Sequence, residues 1–182
     1  MSALPDAKRL EHDIGMVMKV VEHRTMTFLR DEIGMEPLAV DHHRHDQKYV
    51  ELRAISAIVA VGSAGGLYIA FSYDLPLIRA MTKVYTAGLS IAENEEELYI
   101  HETASDVVNV IVGNCTADLA KRGELISLSP PVLIVGARTI QSRDGSTVAA
   151  LAARFAKGVL DIAFVGPKVL FDNHLNYQEK AR

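Results

Sequence analysis

From about Lys8 to Ile33, apolar residues Ile14, Val17, Met18, Val21, Met26, Phe28 and Leu29 recur at close to helical spacing, and the pattern stops at Gly34 and Pro37. That predicts a first long helix. Between Tyr49 and Ser72 the rhythm changes: Ile55, Ile58, Val59 and Val61 precede Gly62-Ser63-Ala64-Gly65-Gly66, and Leu67, Tyr68, Ile69 and Phe71 follow. Two β-rich runs around a glycine cluster predict a β-hairpin. Asp74 as N-cap and Pro76 in the first turn predict a short helix through about Tyr85, ending near Gly88. Glu93 to Glu97 then place negative charge where a second long helix should start, and Lys121, Arg122 and Gly123 suit its end. Beyond Pro130-Pro131 the pattern is strand-like over Val132 to Gln141 and Thr147 to Ala156, with Arg143-Asp144-Gly145 as a hairpin signal between them. Gly158 precedes a last strand near Val159 to Val165.

The predicted order is helix, two strands, two helices, three strands. It implies an α+β domain, an antiparallel sheet packed against long helices. Both halves run from a long helix into strands, which hints at an internal duplication. Registering Pro37 on Pro130 or Pro131 sets Met16 or Gly15 opposite Asn109, so the first helix offers no second asparagine. No linker or low-complexity segment divides the 182 residues, and 49% hydrophobic content suits one core.

Charge narrows the choice of partners. Nineteen Lys and Arg against 23 acidic residues give no positive field for a phosphate backbone, so nucleic acid is not an expected partner. No apolar run reaches the roughly 18 residues of a membrane span, and Met1 to Asp13 lacks a basic segment leading into an apolar one, so a cytoplasmic protein is expected. The single cysteine, Cys115, lies in an apolar stretch of helix pattern and reads as a buried small residue.

The second long helix is the strongest chemical candidate. At 100° per residue, Glu102, Asp106, Asn109, Gly113 and Thr116 fall within roughly 80° of one another, while Val108, Ile111, Val112, Cys115 and Leu119 point elsewhere. A mid-helix glycine costs about 0.5 to 1 kcal/mol relative to alanine, and Gly113 lies one turn beyond Asn109 on the polar side. A residue without a side chain there would let another surface approach closely. On periodicity alone the reading is a solvated helix face with one tolerated glycine.

Other stretches carry less. Asp41-His42-His43-Arg44-His45-Asp46 has metal-ligand residue types, but no regular spacing or distant partner closes a site, and it reads as an exposed loop. Gly62 to Gly66 lacks the form of a phosphate-binding loop and precedes a strand pattern, so a hairpin turn is expected. Ser129 and the scattered histidines compose no nucleophile, base and orienter. Met16, Met18, Met26 and Met35 read as core filling along the first helix.

The pattern Glu102, Asp106, Asn109, Gly113, followed by Pro130-Pro131, resembles the motif of the CheX, CheC and FliY phosphatases: Ser or Asp, three residues, Glu, two residues, Asn, and one or two prolines about twenty residues later. The resemblance extends through Gly65 to Ser72 and Pro131 to Gly136, covers roughly Ala7 to Pro167, and leaves Asp172 to Arg182 as a tail. It implies a single CheX-like domain that removes the phosphoryl group from the aspartyl phosphate of a CheY-like response regulator. By that resemblance Asn109 and Asp106 are the catalytic residues, and Glu102 and Gly113 are partner-binding. It also implies a homodimer, no metal or cofactor of the chain's own, and Mg²⁺ held by the receiver. The chain departs from the motif in having Asp106 for the family glutamate and Glu102 for the opening Ser or Asp. Losing one methylene withdraws the carboxylate by about 1.5 Å. An inactive receiver-binding module or signalling scaffold with the same fold is therefore the alternative expectation.

Overall fold

The computed structural model describes residues 7–45, 49–62, 66–123, 128–141 and 145–167, and the side chains among them except those of 7–14 and 45. The chain runs α1 (Ala7–Asp31), β1 (Ala39–His45), β2 (Tyr49–Glu51), β3 (Ile55–Ala60), β4 (Tyr68–Tyr73), α2 (Leu75–Tyr85), a 3₁₀ turn (Glu93–Glu95), α3 (Glu96–Lys121), β5 (Val132–Val135), β6 (Thr139–Gln141), β7 (Ser146–Phe155) and β8 (Gly158–Pro167). Six strands form one antiparallel sheet in the order β1-β7-β8-β4-β3-β5, and β2 pairs with β6 in a separate two-stranded ribbon. The α+β class and both long helices are as the sequence implied.

Alternation along the strands builds the two faces of the sheet. Ile69, Phe71 and Tyr73 of β4, Leu151, Ala153 and Phe155 of β7, and Leu160, Ile162 and Phe164 of β8 join the main core with the helices. Full burial of a side chain the size of Phe71 or Phe164 contributes roughly 1.5–3 kcal/mol. Their neighbours Ala70, Val148, Ala150 and Ala163 form a smaller cluster on the opposite face, with Val50 of β2 packed against it. Met18 is buried and Met16, Met26 and Met35 pack at the core margin, as core-filling methionines should.

Three expectations change. Asp41 to His45 is not a loop but most of β1, an edge strand paired with β7 from Ala39↔Arg154 to His45↔Val148; Asp46 lies outside the described residues. His42 meets Glu22 of α1 at 2.9 Å, and Asp41 meets Arg154 at 3.0 Å, so the polar residues of this strand serve as sheet-edge and helix contacts. Val132 to Gln141 is not one strand: it breaks at Gly136, where φ is +71°, a left-handed conformation that favours glycine. β5 then pairs with β3 and β6 with β2, so β7 finds its hairpin partner in β8 rather than in the strand before it. The centre of the expected turn, Arg143 and Asp144, and that of the first hairpin, Ser63 to Gly65, lie outside the described residues.

The topology reads as a repeat. α1 with β1 to β4 and α3 with β5 to β8 have the same succession of elements. The sheet order is symmetric about the β8–β4 pair, each half's first strand crossing to the other half's third. Matching the helix ends, Asp31 to Lys121, sets Lys19 opposite Asn109, so the repeat carries one asparagine face and not two.

Cys115 is fully buried, its thiol 3.8 Å from the Val20 carbonyl, and burial pushes its pKa up to about 12. Because the folded state holds the thiol proton more tightly, stability should fall as pH rises from the thiol's ordinary 9 towards 12, not below. At pH 8 Cys115 is expected to resist a thiol-specific reagent in the native protein and to react within minutes in denaturant; equal rates in both would contradict its burial.

Candidate functional site

α3 is a two-faced helix held between the other two. Ile100, Ala104, Val107, Val108, Ile111, Val112, Cys115 and Leu119 are buried against the sheet and α1. Arg24 of α1 donates to Asp118 of α3, and α2 packs along the other flank. Glu96 and Glu97 lie in the first turn and Lys121 in the last, which matches the helix dipole at both ends. The backbone under the polar face is thus pinned by a core on one side and an ion pair on another.

On the outer side, Glu102, Asp106, Asn109 and Gly113 are all exposed. Thr116, the fifth residue of the predicted face, is half-buried and donates its hydroxyl to the Val112 carbonyl at 2.9 Å, so it serves the helix. Among the described residues the side chains of Glu102, Asp106 and Asn109 make no hydrogen bond or ion pair. Three polar groups are therefore presented on a rigid helix with their bonding capacity unused. Asn109 can donate and accept simultaneously, and the carboxylates of Asp106 and Glu102 can take a cation.

Gly113 lies in open space: a Cβ built there would meet nothing within 4 Å. The fold therefore does not require glycine at this position. Gly113→Ala is expected to stabilise the protein by about 0.5–1 kcal/mol, raising the melting temperature by roughly 2 °C. A lower melting temperature would show that the glycine serves packing instead.

The proline pair enters the sheet beside this helix. Ser129 exchanges two bonds with Ala60, its N–H to the carbonyl and its hydroxyl accepting the Ala60 N–H, both at 2.9 Å. Pro130 is exposed and Pro131 half-buried at the start of β5.

A cleft of about 510 Å³ opens on the Asp106 side of the same face, lined by Arg24, Phe28, Asp31 and Glu32 of the α1 end, Val84 and Tyr85 of the α2 end, and Val110 and Asn114 of α3. No local spacing marks it, because its wall comes from three separate helices. Burial first, then the negative charges of Asp106 and Glu32, hold the Tyr85 phenol above its ordinary pKa. Among the described residues no group of three or more His, Cys, Asp or Glu is placed to hold a metal, and no helix is long and apolar enough to cross a membrane.

No family model and no curated protein matches the sequence. Solved structures do. A putative chemotaxis protein from Desulfovibrio vulgaris Hildenborough is similar over 81% of this chain and 94% of its own, with a TM-score of 0.67 and 21% identity. CheX from Desulfovibrio desulfuricans is similar over 81% and 97%, with a TM-score of 0.66 and 19% identity. The fold is that of the CheX and CheC-like chemotaxis proteins. Another CheX-fold structure, the CheX-CheY-BeF₃-Mg²⁺ complex from Borrelia burgdorferi, matches over 82% of this chain with a TM-score of 0.62 and 18% identity. Likeness at this identity speaks for the arrangement of helices and sheet, and the CheX-like fold found here keeps α3 with its polar side outward.

Proposed function

We propose that this chain is a phosphatase of the aspartyl phosphate on a CheY-like receiver, acting as a homodimer in the cytoplasm. The observation that carries the proposal is the outward row Glu102, Asp106, Asn109 and Gly113 on a helix whose other side is buried, with no partner for its polar groups among the described residues. The Borrelia relative with this fold, seen in complex with CheY, beryllofluoride and Mg²⁺, supports a receiver as the partner class.

An acyl phosphate is already labile, so catalysis reduces to placing a water in line with phosphorus and stabilising the geometry. Asn109 would insert its amide beside the phosphoryl group, its oxygen accepting from the attacking water and its N–H₂ donating to oxygen. Asp106 would pair with a receiver lysine and fix the docked orientation. Glu102, one turn earlier, would add to the docking surface, and Gly113 would allow the receiver's backbone to come close. The Mg²⁺ belongs to the receiver's acidic pocket, and this chain supplies no ligand to it. Dimerisation would use a sheet edge: β5 ends the sheet with Val132 and Val135 exposed at 65% and 50%.

A second reading has its own observation, the aspartate at position 106. A carboxylate set back by about 1.5 Å could dock a receiver without aligning it, since misplacement near 1 Å can cost on the order of 100-fold. Decay of phosphorylated receivers separates the two. A phosphatase accelerates decay at substoichiometric ratios; a binding module alters it only at stoichiometric ones, which would sink the enzymatic reading.

A further inference from the structure

The cleft beside the polar face has a chemistry of its own. It lies where two helices end: Phe28, Asp31 and Glu32 belong to the last turn of α1 and the residue after it, and Val84 and Tyr85 to the last turn of α2. Helix C-termini carry the negative end of the macrodipole, so two of them converging favour a cation. Its one basic lining residue, Arg24, is committed to Asp118, and Asp31 is paired with Arg30. Glu32, and Asp106 on the adjoining side of α3, have no ion-pair partner among the described residues. The walls add the ring of Tyr85, 41% exposed, and the edge of Phe28. An aromatic face next to an unpaired carboxylate suits a long side chain with an apolar stem and a cationic head.

The cleft is also placed for a shared partner. On α3, Asn109, Asp106, Val110 and Asn114 follow one another around the helix at roughly 0°, 60°, 100° and 140°. A body docked on Asn109 and Asp106 therefore overhangs the cleft mouth.

We infer that this cleft receives a basic side chain, lysine or arginine, projecting from the phosphorylated receiver, so that docking uses a second cation besides the one that meets Asp106. The inference rests on the phosphatase reading. It assigns Glu32 and Tyr85 to partner selection: receivers with a basic residue at the matching surface position are favoured over those with an acidic one.

The test measures both decay of the phosphorylated receiver and binding of the beryllofluoride-loaded receiver, for wild type, Glu32→Lys, Tyr85→Ala, Asn109→Ala and Glu51→Lys. Glu51 is exposed on the ribbon strand β2 and makes the same charge change away from the helices. Glu32→Lys is expected to raise KM and the beryllofluoride-complex Kd about tenfold, and Tyr85→Ala several-fold, with the Glu32→Lys complex less sensitive to salt. Glu51→Lys should stay within about twofold, since distant rim charges contribute little. If Glu32→Lys and Glu51→Lys shift KM and Kd equally, or not at all, while Asn109→Ala still loses acceleration, the cleft inference is overturned and the phosphatase reading stands. A wild-type protein that neither binds nor dephosphorylates any receiver overturns both.

Discussion

Asn109→Ala is expected to remove at least 100-fold of the acceleration of receiver dephosphorylation while leaving the fold intact. A 100-fold loss corresponds to about 2.7 kcal/mol of transition-state stabilisation, within reach of one well-placed amide that orients water. The fold should not notice, because the Asn109 side chain is exposed and engages nothing within the described residues, and alanine is the better helix former. A melting temperature equal to or above wild type, with kcat lost and receiver binding retained, is the expected signature. Asp106→Glu is the companion variant: restoring the methylene should leave the rate equal or raise it, and under the proposed orienting role its effect should fall on KM as well as kcat. Wild-type decay rates with Asn109→Ala would overturn the site assignment.

The second large effect is on stability and lies at the start of α2. Asp74 stands at the N-cap position, as the sequence suggested, yet its carboxylate makes no capping bond. Instead Oδ1 accepts from Arg53 Nη1 at 2.7 Å and Oδ2 from the Val159 N–H at 2.8 Å, while Arg53 Nε donates to Asp161 at 2.6 Å. One guanidinium thus joins the chain before β3, the start of α2 and strand β8. Gly158 closes this arrangement. Its φ is +137°, and a Cβ there would stand 2.8 Å from Asp74 Cβ. Gly158→Ala is expected to cost about 3 kcal/mol, from backbone strain and displacement of Asp74 together, lowering the melting temperature by roughly 9 °C. Arg53→Ala should cost about 2 kcal/mol: it leaves two carboxylates facing each other, but at a quarter to a third exposure solvent discounts the penalty of a fully buried pair. Because both changes act through Asp74, the double variant should lose less than the sum. Additive losses in a denaturant titration would show that the two sites are independent.

The helices were legible because each buries one side: the spacing from Val17 to Leu29 and the opposition of Val108, Ile111, Val112, Cys115 and Leu119 to Asn109 both reappear as core contacts. Strand β1 was not legible for the converse reason. At the sheet edge its residues Asp41, His42, His43 and Arg44 are all exposed, so no apolar alternation marks it, and its pairing partner lies over a hundred residues away. The ribbon of β2 and β6 is three residues a side, below the length at which period-2 reading works, and the break at Gly136 sends one apparent strand into two sheets. Of the site, the part written on one helix was readable: Asp106, Asn109 and Gly113 are spaced by the helix itself. Glu32, Tyr85 and Asn114 come together only through the packing of α1 and α2 on α3, which no local spacing records.

If the chain is a receiver phosphatase as proposed, the outward face of α3 is where the receiver's phosphoryl group seats. The most direct measurement is the side-chain amide resonance of Asn109, followed by NMR as a receiver loaded with beryllofluoride and Mg²⁺ is added. A large shift of the Asn109 amide together with the backbone amides from Glu102 to Asn114 is expected, and none with the unloaded receiver at the same concentration. Shifts confined to β1 and β7, with the Asn109 amide unmoved at saturation, would contradict it.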